Sequence, residues 1–211
     1  MLNDLIDWLI TTVQSIDQGW LIAFAGVAIL LETSLFVGLI VPGDSVLLLA
    51  ATGVTGWGSW AALVAAAICG ALLGESLGFA LGRWLGGPLR SSRLGRLIGE
   101  HNWDLAERYL RRRGMLAVFV SRYLPVLHSL VPAVAGMARM PYRRFMLATV
   151  PACVLWALVY VSVGSFAVAS YEALGKQLNW AGVVFVGIIL IFVALVWLVR
   201  RKLQRGIDSE A

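Results

Sequence analysis

The sequence predicts an all-α polytopic membrane protein built from two inverted repeats. Each repeat is an amphipathic helix, a re-entrant helical hairpin and a spanning helix, and one more spanning helix follows. Three observations predict this. First, of 211 residues 60% are hydrophobic and only 14% charged, with mean hydropathy +0.83. A soluble domain carries about 25% charged residues. So few charges do not cover a water-facing surface, which excludes a soluble enzyme, a disordered chain and a disulfide-knit secreted module. Second, the net charge is +5, yet the basic residues are confined to short segments between apolar runs. The positive-inside rule explains that pattern without a nucleic-acid partner. Third, the same order of segments occurs at 2–82 and again at 100–169.

A single membrane domain is expected over 1–205. Residues 1–19 form an interfacial helix: Leu2, Leu5, Ile6, Leu9, Val13 and Ile16 share one face and Asn3, Asp4, Asp7, Gln14 and Ser15 the other. No basic segment precedes an apolar one here, so no cleaved signal peptide is expected. Residues 20–56 are apolar but broken at Pro42-Gly43-Asp44. The run is too long for one spanning helix of about 20 residues and short for two, which predicts a broken or re-entrant hairpin. Residues 57–82 span the membrane.

Residues 83–114 are a basic cytoplasmic loop and helix, with eight arginines against three acids. Asp104–Arg108 and Glu107–Arg111 stand at i,i+4 in the favoured order on its second half. Residues 115–140 are apolar with basic flanks on both sides, so the segment enters and leaves by one face. That is a second re-entrant hairpin, its tip near Pro125 to Pro132. Residues 142–169 and 180–199 span, with a kink expected at Pro151. Arg200-Arg201-Lys202 hold the tail, 200–211, in the cytoplasm. Trp20, Trp57, Trp60, Trp84, Trp180 and Trp197 sit at or near run ends like an aromatic belt, whereas Trp156 is mid-span. Cys69 and Cys153 lie in apolar stretches as small packing residues. No metal-ligand cluster or nucleotide motif is visible, so no cofactor is expected.

Glu32, Asp44, Glu75, Arg122 and His128 lie inside apolar runs, where each charge costs about 2.5–3.5 kcal/mol. Mutual pairing that pins the hairpins together is one reading, and a substrate or proton role beside that pairing is the other. Arg122 presents a planar fork suited to phosphate. Glu32, Asp44 and His128 can exchange protons. Glu75 sits near a cytoplasmic end, where simply facing water or a basic loop is the alternative to a role in the site. Pro42, Gly43, Pro125 and Pro132 are the hairpin-shaping residues.

The run Glu32-Thr-Ser-Leu-Phe-Val-Gly-Leu-Ile-Val-Pro42-Gly43-Asp44 resembles the first hairpin of the DedA (SNARE-associated, VTT-domain-like) family of bacterial inner-membrane proteins. Gly74-Glu75-Ser-Leu-Gly78-Phe-Ala-Leu-Gly82-Arg83-Trp-Leu-Gly86 resembles its glycine ladder. Phe119-Val-Ser121-Arg122-Tyr123-Leu-Pro125, with Ala135-Gly136-Met137 and Met140-Pro141, resembles its second hairpin. The resemblance covers about residues 20–170. It implies two oppositely oriented re-entrant hairpins and proton-coupled transport, for some members of undecaprenyl phosphate or other phospholipids. It puts the family's acidic pair on Glu32 and Asp44 and its first essential arginine on Arg122. The second arginine falls on His128, a departure, and Glu75 stands where many members carry Asp.

Proton coupling is thus assigned to Glu32, Asp44 and Glu75, and phosphate binding to Arg122 and His128. The expected partners are membrane lipids, an anionic lipid phosphate and protons; a homo-oligomer is compatible with the sequence. The competing readings are an uncoupled scramblase or envelope-maintenance factor, for which the glycines serve packing alone, and a membrane lipid phosphatase. Ser121-Arg122-x5-His128 matches the start of one phosphatase motif, but Pro132 stands where that motif needs Asp.

Overall fold

The computed structural model describes residues 8, 11–34, 43–92, 95–96, 99–124 and 127–175, and positions 187, 188, 190, 191, 194 and 198. Pro42, Pro125, most of the first interfacial segment before residue 11, most of 180–199 and the tail 200–211 lie outside the described residues. Described residues 11–14 are helical, with Val13 buried and Ile16 exposed.

From residue 18 to 175 the described residues form, in order, α1 Gln18–Ser34, α2 Gly43–Thr52, α3 Trp57–Leu85, α4 Gly87–Ser91, α5 Glu100–Arg113, α6 Met115–Ser121, α7 Leu127–Met137 and α8 Tyr142–Gly175. The described residues contain no strand. At 1.5 Å per residue, α3 with 29 residues reaches about 44 Å and α8 with 34 about 51 Å, more than the roughly 30 Å hydrocarbon core. Helices α2, α6 and α7, with 10, 7 and 11 residues, are too short to cross it. The outer faces are apolar: Phe24, Leu49, Leu73, Leu147, Leu155 and Phe166 are exposed. In water that surface is a liability; in lipid it is the solvent-matched face. Trp57 and Trp84, near opposite ends of α3, are both largely exposed, as interfacial anchors are.

Helix α3 is the common partner. It packs along α1, α7 and α8. Its glycine stripe permits this close approach, and the stripe divides its work. Gly70 and Gly74 lie against the α1 backbone around Gly26 and Leu30. Gly82 lies against the Ala133 carbonyl of α7, and Gly136 of α7 lies in return against Phe79 and Arg83. Gly86 does not belong to this packing. It has φ 46° and open space where a side chain would stand, and its N–H bonds to Gly82 O at 3.0 Å. It ends the helix rather than packing it.

The i,i+4 reading of the basic helix is half corrected. Glu107 does meet Arg111, at 3.8 Å. Asp104 instead accepts from Arg90 of α4, at 2.6 Å, and Glu100 and Glu107 engage the same guanidinium. Nor is α5 a purely surface element. Trp103, Ala106, Tyr109 and Leu110 are buried, and the helix packs on α7.

Between α6 and α7 the described residues 122–124 are non-helical, and Pro132 lies inside α7. The expected tip is therefore shorter than Pro125 to Pro132. Helix α7 closes with Arg139 at φ 56°. The Arg139 N–H bonds Gly136 O and the Met140 N–H bonds Ala135 O, each at 3.0 Å. These are the two bonds of a Schellman ending, in which glycine is the favoured residue at the position of Arg139. An arginine there costs about 1 kcal/mol.

Candidate functional site

Four of the polar residues in the apolar runs converge on one cluster. Glu32 stands in the last turn of α1, Asp44 in the first turn of α2, Glu75 well inside α3, and Arg122 caps the C-terminus of α6. Arg122 Nη1 lies 3.4 Å from Glu75 Oε1, with the two side chains 3% and 5% exposed. Glu75 therefore does not face water or the basic loop. It lies ten residues before the end of α3, about 15 Å along the axis, and is the direct partner of Arg122. The guanidinium carbon of Arg122 also stacks 3.9 Å from the centroid of the Trp156 ring, a cation–π contact in a dry setting.

The other acids reach the same charge from α1 and α2, and Asp44 and Glu32 both act electrostatically on Arg122. The Glu32 carboxylate sits over the N-terminus of α2, where the N–H groups of Asp44 and Gly43 face it. A helix N-terminus favours an anion through those free donors and the helix dipole. Gly43 is needed for the approach, because a Cβ at that position would collide with the carboxylate. Asp44 Oδ2 accepts a hydrogen bond from the Tyr160 hydroxyl at 3.1 Å.

Helix α8 closes the cluster with residues that the charge pattern did not single out. Cys153 donates its thiol hydrogen to Glu75 Oε1 across 3.6 Å. Cys153, Trp156 and Tyr160 stand at i, i+3 and i+7, one face of the helix. Their signal in the sequence was the odd position of Trp156, mid-span rather than at a run end. Cys153 is thus more than a packing residue, while Cys69 is exposed.

His128 sits on α7, half-buried, with Nδ1 3.2 Å from Leu124 O. Pro132, one turn further, stands against Gly78 of α3 and offers no N–H to the His128 carbonyl. Gly43 opens α2. Among the described residues, no group of three His, Cys, Asp or Glu side chains is arranged to hold a metal ion. Two buried polar atoms of the cluster, Arg122 Nε and Glu32 Oε2, have no hydrogen-bond partner among the described residues. Leaving such groups unsatisfied costs about 1–3 kcal/mol each.

The VTT domain family model matches residues 41–166. Undecaprenyl phosphate transporter A of Bacillus subtilis is 35% identical over 68 residues, which is 32% of this chain and 34% of that protein. An uncharacterized membrane protein of Synechocystis is 32% identical over 206 residues, 92% of this chain and 89% of its own length. An alkaline phosphatase-like protein of Lactococcus lactis is 30% identical over 118 residues, 54% of this chain and 55% of that protein. The chain thus spans about a third of the Bacillus relative and about half of the Lactococcus one. No solved structure matches. The matched segment runs from just before α2 to the distal part of α8 and holds Asp44, Glu75 and Arg122; the chain belongs to the VTT-domain family, the DedA family of membrane proteins.

Proposed function

We propose that this chain moves a lipid phosphate, such as undecaprenyl phosphate or another phospholipid, across the bacterial inner membrane, coupled to protons, with its C-terminus in the cytoplasm. The observation that carries this reading is Arg122. It is buried, lies 3.4 Å from Glu75 and over the Trp156 ring, and its Nε has no hydrogen-bond partner among the described residues. A guanidinium so placed has donors left for a phosphate, the anion its fork fits best. The name of the Bacillus relative supports the same substrate class.

The charge count supplies the coupling. One guanidinium balances one carboxylate, and three carboxyl groups surround this one. In a low-dielectric site the excess is balanced by protons. A phosphate arriving at Arg122 displaces Glu75, and Glu75 takes a proton as it leaves its partner. Release reverses the exchange. Glu32 and Asp44 pass the proton, and His128 serves as a second, titratable contact for the headgroup. The short helices α2, α6 and α7 support re-entrant hairpins, because broken backbone at membrane depth is tolerated where protein lines a cavity.

The test is transport of labelled lipid phosphate by reconstituted full-length protein, with and without a pH gradient. Arg122→Lys, which keeps the charge but loses the fork, is expected to lower the rate at least about tenfold. Glu32→Gln is expected to abolish the response to the gradient. A rate unchanged in Glu32→Gln supports the uncoupled scramblase instead, and no lipid movement at all sinks transport. The phosphatase reading has its own support in the Ser121-Arg122-x5-His128 spacing and the name of the Lactococcus relative. Phosphate released from the lipid by the purified chain would favour it.

A further inference from the structure

A groove of about 530 Å³ opens where α5, the start of α6, the end of α7 and the start of α8 meet. Its floor is apolar, formed by Leu110 and Val134, with Met115 at the edge. Its rim carries Arg111, Arg139 and Arg144 against one acid, Glu107. Arg111 and Arg90 both lie 3.8 Å from Glu107, so that acid is already shared. Arg139 and Arg144 make no ion pair among the described residues and are exposed. The groove also holds Pro141, which precedes the first turn of α8, a 34-residue helix whose free N–H groups open at this end.

We propose that this groove binds the phosphate headgroup of an anionic phospholipid, as a site separate from Arg122. Net positive charge on the rim meets the phosphate, and the apolar floor meets the first acyl carbons. A freely soluble anion has no use for that floor. Basic pockets between helix ends are where anionic lipid headgroups settle. Arg139 strengthens the assignment. It holds a left-handed backbone position that suits glycine, and it directs a long cation to the groove rim from there. Met115 and Arg122 lie at opposite ends of α6, so the groove is about 10 Å along the helix from the buried arginine. The inference does not depend on transport, because binding is read without it.

The experiment titrates purified full-length protein in neutral detergent with phosphatidylglycerol, with phosphatidylcholine and with inorganic phosphate, and counts bound lipid by native mass spectrometry. The expected result is saturable binding of phosphatidylglycerol, at least about tenfold tighter than phosphatidylcholine, and undisturbed by millimolar phosphate. The pair Arg139→Gln/Arg144→Gln should weaken it about tenfold or more, at roughly 1 kcal/mol per basic residue. The pair Arg112→Gln/Arg143→Gln removes the same charge outside the groove and should weaken it less than about threefold. Arg139→Gly should lose affinity while its melting temperature holds or rises, which a purely structural arginine would not produce. Equal loss in both pairs would overturn the proposal as diffuse surface charge. Displacement by inorganic phosphate would overturn the lipid assignment. A folded Arg139→Gln/Arg144→Gln protein that binds like the parent would overturn the site.

Discussion

Arg90 and Arg122 carry the same guanidinium into opposite surroundings. Arg90 joins α4 to α5 at the surface and gathers Glu100, Asp104 and Glu107 around itself. Arg122 lies in the interior, meets Glu75 at 3.4 Å, leans on Trp156, and has no hydrogen-bond partner for Nε among the described residues. The better-bonded arginine is the one where bonding matters least. Water already solvates Arg90 and its acids, so two short contacts and a third at 3.8 Å replace hydration at little gain. Arg122 has lost its water, and an interior arrangement selected for stability alone would saturate it. An incompletely satisfied charge among three carboxyl groups is the pattern of a site that exchanges partners.

The sharpest way to break that comparison is Arg122→Ala. Removing one member of a buried pair strands the other, so a loss of about 3–5 kcal/mol is expected, with transport abolished. Denaturant unfolding in one detergent measures the first. The double variant Arg122→Met/Glu75→Gln removes both charges and should recover most of the stability while transport stays absent. If the double variant transports lipid, the cluster is structural and the contrast with Arg90 collapses.

Much of this cluster was legible in the sequence, and the rest was hidden for physical reasons. Glu32, Asp44 and Arg122 stood out because lipid makes a stray charge expensive. Glu75 was misplaced because closeness to a basic loop along the chain says nothing about which face of α3 it occupies; that face is set by where Gly74 and Gly78 let neighbours approach. Cys153, Trp156 and Tyr160 form a helical stripe, but with no charge among them the stripe resembled ordinary core. The partner of Asp104 was missed because the i,i+4 rule sees one helix only, and Arg90 arrives from another. In the fold, the all-helical class and the long apolar helices followed from composition and run length. The extent of α7 through Pro132 did not, since tertiary packing overrides a breaker.

The next prediction sharpens the same contrast through the scaffold. The buried cluster depends on α3 lying close to α7, and Gly82 and Gly136 set that distance. A methyl at Gly82 would run into the Ala133 backbone, which has no flexible end to yield. Gly82→Ala is therefore expected to cost about 1–3 kcal/mol and to reduce transport with it. Gly87→Ala, where nothing lies within 4 Å, should leave melting and transport within error of the parent. Equal effects at both positions would mean that helix propensity, not close approach, governs the stripe.

The smallest effect is expected at Arg90 itself. Arg90→Gln removes three ion pairs at once, yet each partner is about half exposed or more and the arginine is partly exposed. Pairs of this kind are screened by solvent, so a loss below about 1 kcal/mol is expected. Hydrogen bonds from Arg90 to Glu100 first, and then to Asp104, push its guanidinium further above its ordinary range. A group whose folded pKa is raised contributes fully below its unfolded pKa and loses that contribution only as pH climbs through the folded one. For an arginine that window lies above any working pH. The melting difference between parent and Arg90→Gln should therefore be flat across neutral and mildly alkaline pH. It should shrink as salt rises, because the Debye length falls to about 3 Å at 1 M. A difference as large as that of Arg122→Ala, or one insensitive to salt, would show that the surface knot between α4 and α5 is held as dry as the interior.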